Sequence, residues 1–188
     1  MGRDDDKRIT PTTYHEAGHA IAVLALGQEL RWVQIGPGVR GFTEWGDPLD
    51  KAGQEIGFDG FEMDLEHFGF RDERAQWALF HTIVVTLAGE CAQRMYDAKS
   101  VKSWHLEDDR AELTKLLSAV QGDQKIKQRL KIVAKRHTKA IVKENWSNVD
   151  TLAKALLAKR SLSDDVLIRL TGAEIGALLG EITVVPIT

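Results

Sequence analysis

Residues 14–27 read YHEAGHAIAVLALG. His15, Glu16 and His19 follow the pattern H-E-x-x-H, and the run from Ala20 to Leu26 behind them is apolar. On a helix, residues four apart lie one above the other with their Cβ atoms about 6 Å apart, so both imidazoles can reach one zinc ion at roughly 2.0–2.1 Å. Glu16 then stands beside the metal, where a carboxylate can take a proton from activated water and later deliver it to a leaving amine. This is the chemistry of metal-assisted peptide hydrolysis. Thr10 is placed to cap the helix, Pro11 suits its first turn, and Gly27 can close it. Gly18 costs about 1 kcal/mol relative to alanine inside a helix, which points to a close approach of another backbone there. The competing reading is a structural helix that carries two histidines and a glutamate by chance.

The chain has 188 residues, 43% hydrophobic and 28% charged, which suffices for one buried core in a single domain over 1–188. A net charge of -3 gives no basic excess that would call for nucleic acid. Cys91 is the single cysteine, so an intrachain disulfide is excluded, and a reducing, cytoplasmic setting is expected. Ala20–Leu26 is far shorter than the ~20 residues that cross a bilayer, and no membrane anchor is expected. The charged opening, residues 1–9, reads as a frayed terminus.

Downstream, LRWVQIGPGVRGFT (30–43) reads as a hairpin or a pair of edge strands turning at Gly-Pro-Gly. It is the one candidate for an exposed strand edge beside the metal helix, where an extended substrate could pair through its backbone. Residues 44–70 carry eight carboxylates and four phenylalanines without periodicity; they read as an acidic surface loop, with a lid over the cleft as the alternative. Residues 71–98 form a strong helix with an apolar stripe at Trp77, Phe80, Ile83, Val84, Leu87, Cys91 and Met95, and Ala88-Gly89 permits a close helix contact. His81 reads as a packed or rim histidine.

Zinc held by two histidines needs a third protein ligand and keeps its fourth position for water. His105, Glu107, Asp108 and Asp109 are the downstream candidates, and spacing does not choose among them. Asp108 and Asp109 also suit the start of the helix bearing Leu113, Leu116, Leu117 and Val120. From 123 onward the chain reads as helical: a Lys/Arg-rich segment with a solvated face, a helix with Leu152, Leu156 and Leu157 inward, and a short helix opened by Ser163, Asp164 and Asp165. Residues 171–188 read as a tail ending in a possible β segment, ITVVPIT. The fold class expected is mainly α, with a small β element beside the metal helix.

The order of segments resembles the peptidase domain of the FtsH family, zinc proteases that join a AAA unfoldase to a protease domain. YHEAGHAI (14–21) is similar to the family's zinc-binding helix, and VQIGPGVRGFT (33–43) to its V-x-I-x-P-x-G-x-x-x-G-x-T region. LAGECAQRM (87–95) is similar to L-G-G-R-x-A-E-E, with Glu90 and Gln93 in place of the Arg and the first Glu. EDDRAELT (107–114) is similar to S-N-D-L-x-x-A-T, and the C-terminal helix pair follows at LAKALLAKRSLSDDVLIRL. The resemblance implies a zinc metalloendopeptidase with His15, His19 and Asp109 as metal ligands and Glu16 as the catalytic base. It implies peptides or unfolded proteins as substrates. No P-loop is present, so cleavage by this chain would be ATP-independent, with a homo-oligomer or a separate ATPase as possible partners. The alternatives are a non-catalytic binding or regulatory module on the same scaffold and a protease limited to one partner.

Overall fold

The computed structural model describes residues 3–36, 40–46, 73–101, 106–120, 124–161 and 167–186. Most of the acidic stretch (47–70), the tip of the Gly-Pro-Gly turn, His105 and the Ser163–Asp165 helix start lie outside the described residues. The described chain is mainly helical, with six helices and a three-stranded antiparallel sheet.

Helix α1 (Arg3–Ala25) runs through the middle of the fold. It begins at Arg3, not at a Thr10 cap, so Pro11 is internal. Ile9 explains the extension: it is 1% exposed, and the turn before the proline is bound to the core through it. Gly27 does close the helix, at φ 68°, with its N–H donating to Leu24 O (3.0 Å) and that of Gln28 to Val23 O (3.0 Å). This pair of bonds satisfies the last helical carbonyls and needs a residue that tolerates the left-handed region.

Helix α2 (Glu73–Asp97) packs along α1. A Cβ added at Gly18 would lie 2.5 Å from Ala92 Cβ and 2.6 Å from Ala88 O, so the glycine sets how close the two helices come. The buried face of α2 is accordingly built from Ala78, Ile83, Val84, Ala88 and Ala92. Trp77 and Met95, expected on the inner stripe, are 45% and 40% exposed.

Strands β1 (Leu30–Ile35) and β2 (Gly41–Trp45) form the expected hairpin, with Val33 opposite Thr43 and Ile35 opposite Gly41. Helices α3 (Glu107–Ala119), α4 (Gln124–Glu144) and α5 (Trp146–Ser161) follow. Leu113, Leu116 and Val120 are buried along α3, Ile141 and Val142 on α4, and Leu152 and Leu156 on α5. Lys125, Arg129, Lys135, Arg136, Lys139 and Lys143 of α4 are exposed.

The described end of the segment read as a last short helix instead forms β3 (Ile168–Thr171), antiparallel to β1, in the order β2-β1-β3. Its burial alternates, with Ile168 and Leu170 inside, which is the period of a strand. Thr171 then caps α6 (Gly172–Leu178): its hydroxyl accepts from Glu174 N, and the Glu174 carboxylate accepts from Thr171 N. The tail from Gly180 onward is no strand among its described residues. Two buried asparagines hold its backbone. Asn145 donates to Thr183 O (2.9 Å) and accepts from Thr183 N (2.7 Å), while Asn148 donates to Glu181 O (3.0 Å) and accepts from Gly180 N (3.1 Å).

Candidate metal centre

Helical spacing brings His15 and His19 to one face of α1, with their Nε2 atoms 3.0 Å apart. The first turn of α3 delivers Asp109, whose Oδ2 lies 3.0 Å from His15 Nε2 and 3.5 Å from His19 Nε2. Glu107 and Asp108, its neighbours, point to solvent and rim the cavity, so of the described downstream candidates the structure joins Asp109 alone to the two rings. Leu106 at the helix start makes no side-chain cap, and Asp109 is directed into the site instead of serving as one.

Each imidazole is held from behind. His19 Nδ1 is 2.7 Å from Val85 O, and His15 Nδ1 is 3.3 Å from Gln93 Oε1. A carbonyl oxygen accepts and cannot donate, so Nδ1 carries a hydrogen in each ring, and when the ring is neutral its Nε2 presents a lone pair. Two lone pairs and a carboxylate oxygen therefore converge, and Asp109 Oδ2 is buried without a hydrogen bond despite two nitrogens beside it. Such a cluster calls for a cation.

A proton meets part of that demand. Burial disfavours the charged His19 ring, but the adjacent Asp109 carboxylate overrides it and holds the ring's pKa up to about 9. Burial likewise works against the Asp109 carboxylate, and the charge of His19, with the His15 ring beside it, holds its pKa well below the ordinary value.

The donor set fits zinc. For four-coordinate zinc with bonds of 2.0–2.1 Å, tetrahedral geometry separates neighbouring ligand atoms by about 3.3 Å. The three observed separations, 3.0, 3.0 and 3.5 Å, bracket that value. Gly89 of α2 forms the back wall. A Cβ built there would be 2.5 Å from His15 Nε2 and would also overlap His19 Nε2, so the cradle needs a residue without a side chain.

Glu16 lies next to this cluster and is 6% exposed. Thr43 on β2 donates its hydroxyl to Glu16 Oε2 at 2.8 Å, and Gly41 packs so closely on the carboxylate that any Cβ there would overlap it. One carboxylate oxygen is thus tied to the sheet. The site opens into a cavity of about 980 Å³, lined by Arg40, Phe42, Trp45, Thr86 and Glu112 among others. β2 borders it, and among the described residues its side away from β1 pairs with no strand. Tyr14, one residue before His15, anchors α1 to α5: its hydroxyl donates to Asp150 at 2.5 Å, and its ring stacks on Tyr96 with centroids 4.0 Å apart.

His81 stands apart from this cluster, beside Trp77 and Gln28, as a rim histidine. Burial and the neighbouring His137 lower its pKa. Gln93 and Thr43 enter the sequence reading only as positions in the motifs that resemble the FtsH family's, and neither they nor the carbonyl of Val85 carry a spacing signature that would assign them a role at the site. Among the described residues no helix is long and apolar enough to cross a membrane. Compared with known proteins, the chain matches no protein-family model, and no curated protein matches it significantly in sequence.

Proposed function

We infer that this chain is a zinc-dependent metalloendopeptidase of the FtsH-peptidase type, acting on peptides or unfolded chains without ATP. The observation that carries the reading is the convergence of His15 Nε2, His19 Nε2 and Asp109 Oδ2 at tetrahedral ligand spacing, beside a buried, oriented glutamate. His15, His19 and Asp109 would hold the ion, which as a Lewis acid would acidify water and polarise the scissile carbonyl. Glu16 is the proton carrier. Thr43 occupies Oε2, so Oε1 accepts the proton from water and returns it to the leaving amine. The side of β2 that pairs with no strand among the described residues receives the substrate as an added strand, which lays an extended segment along the cavity past Glu16. A folded protein offers few such segments, and a separate ATPase that unfolds substrates would be a fitting partner.

The test is zinc content together with cleavage of casein and a peptide library by the wild-type chain and by Glu16→Gln. Stoichiometric zinc in both, with cleavage lost in the variant, supports the peptidase. Zinc without cleavage by the wild type points to a binding module on the same scaffold. Asp109→Ala should weaken zinc binding at least tenfold more than Asp108→Ala, and equal effects contradict the ligand set.

A further inference from the structure

Behind His15 the site contains a chain of bonds that begins at a main-chain carbonyl outside it. Gln93 is 1% exposed. Its Nε2 lies 3.3 Å from Ser100 O and 3.4 Å from Ser100 Oγ, in the turn that ends α2. Ser100 O can only accept, so the Gln93 amide must turn its nitrogen to Ser100 and its oxygen to His15. That oxygen in turn can only accept, so His15 Nδ1 must carry the hydrogen. Ser100 is itself fixed, its N–H and hydroxyl donating to Asp97 O at 3.0 and 2.6 Å. The orientation of the turn therefore dictates which ring nitrogen of His15 bears a lone pair.

We propose that Gln93 is a positioning residue of the metal site: held by Ser100 O, it fixes the His15 tautomer whose Nε2 faces Asp109 and His19. His19 gains the same restraint from the Val85 carbonyl, which no substitution removes. Gln93 is thus the side chain through which one imidazole can be released while the other stays in place. As a neutral amide it orients the ring without adding negative charge near the ion.

This assignment deepens the zinc reading but is tested first without metal or peptide. In the full-length metal-free chain at alkaline pH, long-range nitrogen–proton NMR should show His15 with its hydrogen on Nδ1. Gln93→Leu should lose that preference and populate the Nε2–H form, while Gln93→Glu, which keeps an acceptor, should retain it. Zinc affinity by chelator competition should fall about 10–100-fold in Gln93→Leu and stay within about threefold in Gln93→Glu. Gln93→Met provides the same loss of acceptor should the leucine variant not fold. A wild-type His15 found in the Nε2–H form overturns the proposal. So does an unchanged tautomer and zinc affinity in folded Gln93→Leu or Gln93→Met. A tautomer shift in a chain that cleaves no peptide supports Gln93's role while refuting the peptidase.

Discussion

Substituting Gly89 by alanine should separate metal binding from folding. The added Cβ would lie 2.5 Å from His15 Nε2 and would also overlap His19 Nε2. A carbon and a nitrogen in van der Waals contact need about 3.5 Å, so the rings must retreat by about 1 Å. Metal–ligand distances tolerate only about 0.2 Å, which means that two of the three protein ligands leave bonding range together. The expected cost to zinc binding is at least about 100-fold, or roughly 2.7 kcal/mol. Helix formation moves the other way, because alanine is favoured over glycine inside a helix by about 0.8–1.0 kcal/mol. The metal-free variant should therefore keep its helical circular dichroism and lose little stability to urea, since imidazoles at a cavity wall can rotate. Chelator competition and urea denaturation of the same preparation measure both quantities. Zinc bound with wild-type affinity would refute the placement of the ion between these rings.

Gly18→Ala should do the opposite. Its Cβ meets Ala92 Cβ at 2.5 Å and the Ala88 carbonyl at 2.6 Å, and overpacking of this kind costs about 1–3 kcal/mol, seen as a lower urea midpoint. Zinc binding near neutral pH should release about one proton, because His19, held up to about 9, is protonated in the metal-free chain and must become neutral to ligate. Calorimetry in buffers of different ionisation enthalpy measures this, and zero release would contradict it. The same raised pKa gives the metal-free chain a contribution to stability that is complete below the ordinary histidine value and lost as pH rises through about 9. Asp109, with its pKa lowered, contributes above the ordinary carboxylate value and ceases to do so as pH falls through its folded pKa. Asn145→Ala removes bonds to Ile141 O, Thr183 O and Thr183 N, at about 1 kcal/mol each, so a loss of about 2–3 kcal/mol is expected. Hydrogen exchange at Thr183 should accelerate with it, and unchanged protection would show the tail is held otherwise.

The metal helix was readable because its information is local: i, i+4 spacing, an apolar run and a terminal glycine all lie within 14 residues. Gly18 and Ala88-Gly89 were readable for a similar reason, since small residues at matching positions announce a close crossing. The start of α1 was not, because Ile9's burial depends on partners far along the chain. β3 was misread because four alternating residues behind a serine and two aspartates look like a capped helical turn; its identity comes from β1, more than 130 positions earlier. Spacing alone left Asp109 level with its neighbours. Their common position in the first turn of α3 makes all three reasonable first-turn carboxylates, and only the docking of α3 decides which one turns inward. Gln93 and Thr43 reach the site through hydrogen bonds to His15 and Glu16, 78 and 27 positions away, which no short window of sequence contains.

Asn145 and Asn148 grip peptide groups, and Val184, 69% exposed, takes no part in the grip. The strap after α6 is thus fastened by its main chain and by Ile182 and Val185 packed against the core, and side chains along its outer surface are free to be exchanged. A spectroscopic label at 184 would ride on the docked strap without weakening its attachment, and would report detachment of the C-terminal segment as an event separate from unfolding of the helices beneath.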